Sequence, residues 1–321
     1  MNTLLLGLKP GALSDEQLDR VRAAAPNMRV LVTLDLDQIE AILDQIEIAA
    51  GSFPRHLLPQ ARNLRWFQDW SAGTDWLLRY PEAVDLDFVL TNTSGVHPNP
   101  VTEHVLAFLL AFGRDFHRAM RAQVRREWIP QDQHENLFEL EGKTMLLIGV
   151  GAIGRRTAEL AVALGMRVLG VRRDPTIAVP GVEAMVGPGQ LLDLLPQADF
   201  VVSILPLTRE TRGMIGQREL RAMKPTAYLV NVGRGGTIDQ RALVQALREG
   251  WIAGAGLDVF ETEPLPEDSP LWAMVNVIVT SHYAGVTPRY HDQAIEIFLD
   301  NLHRYHAGEP LRNVVDKRLG Y

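Results

Sequence analysis

The stretch MLLIGVGAIG, Met145 to Gly154, is an apolar run of strand length that stops on Gly149, Gly151 and Gly154 and leads directly into the helical pattern RRTAELAVALG. Strand, G-x-G-x-x-G and helix in immediate succession is the context that raises a dinucleotide-binding loop, with a plain glycine turn between a strand and a helix as the other reading. Gly149 makes the tight turn in the first reading. Gly151 lets the backbone approach a pyrophosphate, Gly154 lets helix and strand pack closely, and the helix N-terminus offers free N–H groups to the anion.

Composition frames that loop. A chain of 321 residues suggests two domains of roughly 150 residues each, and 46% hydrophobic content supplies two cores. A net charge of -7 with mixed signs argues against a nucleic-acid surface, which takes a clustered basic face. The absence of cysteine removes disulfides, thiol nucleophiles and thiolate metal sites, and no metal is expected. No run approaches the roughly 18 apolar residues of a membrane helix. The N-terminal MNTLLLGLKPG is too short for a signal peptide and lacks its basic region, so it reads as a first strand, and a cytoplasmic location is expected.

Before the glycine loop, Thr3–Leu8 reads as a strand and Ser14–Ala24 as a helix with Ser14 as its N-cap. RVLVTLD, IEIAAG, LRWFQDW and DFVLTNT then alternate with helical or loop segments up to Thr93, the pattern of parallel βαβ units. Apolar residues at helical spacing over Val101–Trp128 predict one long helix of about 40 Å, long enough to run between domains. A second α/β series follows from Lys143, with strands in MLLIGV, RVLGVR, ADFVVSILP, AYLVNVG, AGAGLDVF and VNVIVTS. Helical spacing returns over Pro288–Tyr305, which suggests that the chain ends back in its first domain.

The tip of the second strand of the glycine-loop unit selects the nicotinamide cofactor. An acidic residue there binds the ribose hydroxyl of NAD, and arginine accommodates the 2′-phosphate of NADP. RVLGVRRDP puts Arg172 and Arg173 at that tip, so NADP(H) is favoured, with NAD(H) as the other option if Asp174 folds back to the ribose and the arginines are only solvated. Three later strands each end on a reactive residue, at the edge where open α/β sheets place their ligand crevice. Arg234 stands between glycines and suits a carboxylate. Asp258, Glu261 and Glu263 follow the next strand, and His282 ends the last.

In this order, GVGAIG, VNVGRGG, LDVFETEPLPEDSPLW and TSHYAG resemble the signatures of the D-isomer-specific 2-hydroxyacid dehydrogenase family, and SAGTD (71–75) and VTEHVLAFLLA (101–111) extend the resemblance over nearly the whole chain. The resemblance implies a doubly wound Rossmann-type nucleotide domain inserted into a smaller flavodoxin-like α/β substrate domain. Residues 1–97 with 289–321 would form the substrate domain and 98–288 the nucleotide domain, the latter including helix 101–128. It further implies a homodimer and a small 2-keto or 2-hydroxy acid substrate.

By the same resemblance, Arg234, Glu263 and His282 match the catalytic arginine, glutamate and histidine, and Asp258 the aspartate near the nicotinamide carboxamide. Ala72 and Gly73 match the loop whose N–H groups hold the substrate carboxylate, a task shared with Arg234 and His282. Further cofactor contacts fall on Ala152, Ile153, Leu205, Pro206, Thr211, Val232, Gly233, His282 and Ala284 beside the glycines and arginines above.

The chemistry is coherent with that set. Reducing a 2-keto acid takes a hydride to C2 and a proton to the carbonyl oxygen, and histidine ordinarily titrates near neutral pH. A carboxylate at Glu263 would stabilise the imidazolium and orient the ring, while Arg234 anchors the substrate and polarises its carbonyl. Two departures from the family stand out: Ser281 replaces the usual proline before the histidine, and Arg172 replaces the common aspartate. Trp70, Trp76 and Trp128 are candidates for a substrate pocket or a dimer contact, or simply for packing. A nucleotide-sensing protein akin to the family's corepressor relatives is the other functional reading, and a formate dehydrogenase is disfavoured because that relative pairs its histidine with glutamine.

Overall fold

A computed structural model describes residues 2–134 and 137–321, so Met1 of the predicted first strand lies outside them. The described residues form two compact units, 2–96 with 287–321 and 97–286. The first begins with β1 (Thr3–Gly7), α1 (Asp15–Ala24), β2 (Arg29–Val32), α2 (Leu36–Ala41), β3 (Ile46–Gly51), β4 (Trp66–Asp69) and β5 (Val89–Thr91). The second holds α3 (Pro98–Gly113), α4 (Phe116–Arg125), β6 (Thr144–Ile148), α5 (Ala152–Ala163), β7 (Arg167–Val171), β8 (Ala184–Val186) and α6 (Leu191–Leu194). It continues through β9 (Phe200–Ser203), α7 (Gln217–Ala222), β10 (Tyr228–Asn231), α8 (Gln240–Glu249), β11 (Gly254–Leu257) and β12 (Val277–Val279), after which α9 (Tyr290–Ala307) completes the first unit.

Both sheets are parallel throughout. The first runs β2-β1-β3-β4-β5, the flavodoxin-like order, and the second β12-β11-β10-β9-β6-β7-β8, the doubly wound order with its reversal between β9 and β6. Such strands are covered on both faces and read as near-continuous apolar runs, and β1 (TLLLG) and β6 (TMLLI) are buried at every position.

Packing follows from that pattern. In the first unit α9 lays Ala294, Ile295, Phe298 and Leu302 against Leu4, Leu6 and Trp66, with Trp66 and Phe298 stacked at 5.3 Å. The return of the chain after β12 therefore supplies one face of the first core. At the start, Ser14 caps α1 as predicted, and it does so through a reciprocal pair: its hydroxyl accepts the Gln17 N–H, and the Gln17 side chain accepts the Ser14 N–H.

The single helix predicted over Val101–Trp128 is instead two, α3 and α4, with Arg114 and Asp115 between them. Asp115 sits in the left-handed region at φ 57° and is buried. Its carboxylate accepts from Arg118 Nη1 at 3.0 Å and pairs with His134 Nδ1 at 2.8 Å, while the Phe138 N–H bonds the Gly113 carbonyl. Those tertiary partners outweigh helical continuity, because an Asp side chain tolerates the left-handed region and rewards it with local bonds. Strand β8 is a second difference, since its three half-exposed residues carry too little pattern to be read.

α3 packs directly on the sheet. A methyl group at Gly256 of β11 would lie 2.7 Å from Cγ of Phe108, a buried ring of α3. Gly256→Val should therefore destabilise the second unit by about 1–3 kcal/mol through overpacking. Thermal unfolding would show a lowered midpoint, and adding Phe108→Ala should recover part of the loss relative to the sum of the two single variants.

Candidate active site

The C-terminal edge of the second sheet gathers the residues that chemistry would use. At the reversal between β6 and β9 the chain after β6 turns at Gly149, φ 100°, whose N–H bonds the Val171 carbonyl. A methyl group at Gly154 would stand 2.5 Å from the Gly149 carbonyl oxygen, so the first turn of α5 packs on the loop only without a side chain there. Gly151 is the N-cap of α5 and makes no side-chain capping bond. A methyl group at Gly151 would meet nothing within 4 Å. Open space in front of an uncapped 12-residue helix beginning at Ala152 and Ile153 fits a pyrophosphate.

Across the reversal, Leu205 and Pro206 follow β9. Thr211 donates to the Pro206 carbonyl at 2.6 Å and accepts the Thr208 N–H, which fixes this loop. Gly233 approaches it closely, since a methyl group there would meet the Leu205 carbonyl oxygen at 2.5 Å.

The two arginines at the tip of β7 differ. Arg172 Nη1 is buried without a hydrogen-bond partner among the described residues, whereas Arg173 Nη2 donates to Glu210 at 2.7 Å in an exposed pair. Asp174 is engaged locally: its Oδ1 accepts the Thr176 hydroxyl and N–H, and those bonds hold its carboxyl below the usual range. An orphaned buried donor beside a glycine loop fits a phosphate dianion.

All three reactive strand ends lie in this unit. Val232 and Gly233 lead from β10 to Arg234, whose carbonyl is pinned by the Asn231 amide at 3.1 Å and the Thr237 hydroxyl at 2.7 Å. Glu263 Oε1 accepts the Phe260 N–H at 2.9 Å, and its Oε2 lies 2.6 Å from His282 Nδ1. A carboxylate acceptor assigns the Nδ1 proton and leaves Nε2 as the nitrogen for proton transfer. Both side chains are partly exposed, as proton exchange with a ligand requires.

His282 itself sits at φ 55°, and Asp258 explains how that backbone is held. Asp258 is 1% exposed, and its carboxylate accepts the Thr280 hydroxyl at 2.7 Å and the N–H groups of Tyr283 and Ala284 at 3.1 and 3.0 Å. Its carbonyl accepts the His282 N–H at 2.8 Å. The exposed Ser281, where a proline was expected, stands in a turn held by these bonds. Glu261 is turned to a structural task, with Oε1 capping the Gln240 N–H of α8.

Two histidines that the sequence reading passed over belong to this cluster. His104 Nε2 lies 2.9 Å from Thr280 Oγ1, and because that hydroxyl donates to Asp258, His104 is the donor. His97 Nδ1 contacts the Gly285 carbonyl at 3.1 Å, and burial pushes both imidazoles below their ordinary range. The available signal was positional. His104 lies one helical turn before Phe108, the ring that packs on Gly256 of β11.

The first unit presents the other assigned residues on the loop after β4. Asn92 donates to the Ala72 carbonyl at 2.9 Å, the Gly73 N–H bonds Ser71 Oγ at 3.1 Å, and among the described residues the Ala72 N–H makes no hydrogen bond. Trp76 donates to Asp69 at 2.8 Å, and Trp70 is buried against Phe298. Trp128 is 91% exposed. Among the described residues no group of histidines and carboxylates could hold a metal ion, and no helix is long and apolar enough to cross a membrane.

Residues 106–284 match the family described as D-isomer specific 2-hydroxyacid dehydrogenase, NAD binding domain. A glyoxylate reductase of Korarchaeum cryptofilum is 33% identical over 309 residues, covering 94% of this chain and 90% of that one. Among solved structures, a D-isomer specific 2-hydroxyacid dehydrogenase from Xanthobacter autotrophicus in complex with NADPH and MES superposes with a TM-score of 0.85 at 32% identity, covering 100% and 99% of the two chains. An NADPH-dependent glyoxylate/hydroxypyruvate reductase from Sinorhizobium meliloti, in complex with NADP and sulfate, gives 0.84 at 27%, covering both chains fully. With more than half of its length matched and its sheet orders, glycine loop and histidine–glutamate pair in place, this chain belongs to the D-isomer specific 2-hydroxyacid dehydrogenases.

Proposed function

We propose that this dehydrogenase reduces a small 2-keto acid to the D-2-hydroxy acid with NADPH, and that NADH is the weaker cofactor. The observation that carries the reading is the 2.6 Å contact between His282 Nδ1 and Glu263 Oε2, in the same unit as the glycine loop. Relatives named glyoxylate reductase, and neighbours solved with NADPH or NADP, support the substrate class and the cofactor. Residues 98–288 serve as the nucleotide domain, and 1–97 with 289–321 as the substrate domain.

When bound, the nicotinamide supplies the hydride for C2. The chain's own residues do the rest. His282 Nε2 gives its proton to the carbonyl oxygen, and Glu263 keeps the ring oriented and stabilises its charged form. Arg234 pairs with a carboxylate and polarises the carbonyl, and within the first unit the Ala72 and Gly73 turn is proposed to bind the substrate carboxylate. Gly149, Gly151 and Gly154 with the start of α5 hold the pyrophosphate. Leu205, Pro206, Thr211, Val232, Gly233 and Ala284 line the remainder of the cofactor, and Asp258 shapes the turn beside the nicotinamide. Arg172 takes the 2′-phosphate, with Arg173 in a lesser role because Glu210 already holds it.

A homodimer is proposed through α4. Phe116, Met120 and Val124 are 58%, 67% and 85% exposed at four-residue spacing, and Trp128 follows. The cations of this helix are occupied within the chain: Arg118 by Asp115, Arg121 by the carbonyls of Met274, Val275 and Val277, and Arg125 by Glu127. What remains is an uncharged apolar stripe suited to pairing with its own copy about a two-fold axis.

Steady-state rates with glyoxylate and hydroxypyruvate against both cofactors test the central reading, and turnover of neither ends it. His282→Ala should lower kcat by about 10²–10⁴-fold while fluorescence titration shows NADPH affinity nearly unchanged. Arg172→Ala should weaken NADPH by about ten- to a hundredfold, the range of a lost charge-assisted bond, leave NADH nearly unaffected, and exceed the effect of Arg173→Ala. Light scattering should give a dimer for the native chain and a monomer for Met120→Glu with Val124→Glu.

A further inference from the structure

The first unit holds a buried ion pair that no step above uses. Arg55 opens the short turn after β3 and extends its guanidinium between the rings of Phe67 and Trp76, 4.4 and 4.5 Å from their centroids. Its Nη1 donates to the Phe53 carbonyl at 2.7 Å and its Nη2 to Asp69 Oδ2 at 3.0 Å. Asp69 is the last residue of β4, with its side chain 5% exposed. The same Oδ2 accepts Trp76 Nε1, and Oδ1 accepts the Ser71 N–H at 3.1 Å. The pair therefore lies directly behind the Ser71–Gly73 turn and holds its first amide.

That placement poses an electrostatic problem. A turn that takes up a carboxylate works through N–H dipoles, and a buried negative charge bonded to the back of the turn opposes the incoming anion in a medium far less screening than water. Asp75, on the same loop, adds to the negative field at Asp69. Burial disfavours both members of the pair, pushing the Asp69 carboxyl up and the Arg55 guanidinium down, and each charge opposes the shift of the other. A guanidinium does not deprotonate in proteins, so Arg55 is a permanent countercharge, held in place by two aromatic faces.

We propose that Arg55 is a charge-compensating and positioning residue for substrate binding: it cancels the charge of Asp69, so that this carboxylate fixes the Ser71–Gly73 turn without repelling an anionic substrate. The proposal rests on the assignment of the Ala72 and Gly73 turn to the substrate carboxylate. It extends the substrate-recognising set to two residues that never need to touch the substrate.

The sign of the effects tests it. Arg55→Met leaves Asp69 uncompensated and should raise KM for glyoxylate about tenfold or more, with kcat and NADPH affinity close to native. Asp69→Asn keeps an acceptor for Ser71 but reverses the imbalance, so KM should hold or fall. The combined variant should return toward the native KM. A KM raised in both single variants and raised further in the pair would show a packing role and overturn the proposal. Should Arg55→Met not fold, Arg55→Lys keeps the charge and should leave KM near native while Asp69→Asn does not raise it; a rise in both again overturns it. Ala72→Asp separates the two readings. If it leaves KM unchanged, the turn is not the carboxylate site and the proposal falls with it. If it raises KM while Arg55→Met does not, the compensation alone is wrong.

Discussion

The buried carboxylate of Asp258 is the constraint on which the candidate active-site edge depends. An ionised group in a packed interior is costly unless every lone pair finds a donor, and here the donors come from one short segment: the Thr280 hydroxyl and the N–H groups of Tyr283 and Ala284. Satisfying that charge folds the chain after β12 into a turn, and the turn places His282 in a left-handed conformation that a histidine adopts only under such external hold. His104 extends the network from α3, because its Nε2–H bonds the same threonine. The position of His282 is thus set by a residue at the end of the neighbouring strand, and the packing of α3 on β11 through Phe108 and Gly256 supports both.

A second constraint acts at the reversal of the sheet. β6 and β9 are adjacent, and their loops leave in opposite directions, which opens the crevice where such sheets bind ligands. Close approach is kept by small residues on each side: Gly149 lies against Ile204 and Gly233 against Leu205. The cofactor-binding role proposed for Leu205 and Gly233 rests on the same close packing, since a methyl group at Gly149 or Gly233 would meet the facing backbone at 3.1 or 2.5 Å.

What could be read in the sequence divides along a physical line. Strands buried on both faces, glycine loops and caps are local patterns, so β6, α5 and the Ser14 cap were legible to within a few residues, and the four signature segments carried the family. Tertiary bonds that override local pattern were not. The apolar spacing over Val101–Trp128 continues past Asp115, yet a buried carboxylate with partners 3 and 19 residues away breaks the helix there. Arg55 and Asp69 stand on different elements 14 residues apart, and nothing in either segment marks them as a pair. The doublet Arg172–Arg173 read as two equivalent guanidiniums because their difference lies in Glu210, on the loop after β9.

That difference bears on the proposed preference for a phosphorylated cofactor. A buried donor without a partner costs folding free energy, on the order of 1–3 kcal/mol, and Arg172 Nη1 is such a donor among the described residues. A ligand oxygen that reaches the donor removes the penalty, so the free energy gained on binding exceeds that of a bond formed from two hydrated partners. Arg173 starts from the opposite condition. Its exposed pair with Glu210 must be broken or shared before it serves a phosphate, and an exposed pair is worth little either way. On the proposed reading, preference for the phosphate would therefore concentrate on Arg172, whose buried donor gains a partner, while the Glu210 pair keeps the second guanidinium near the tip of β7.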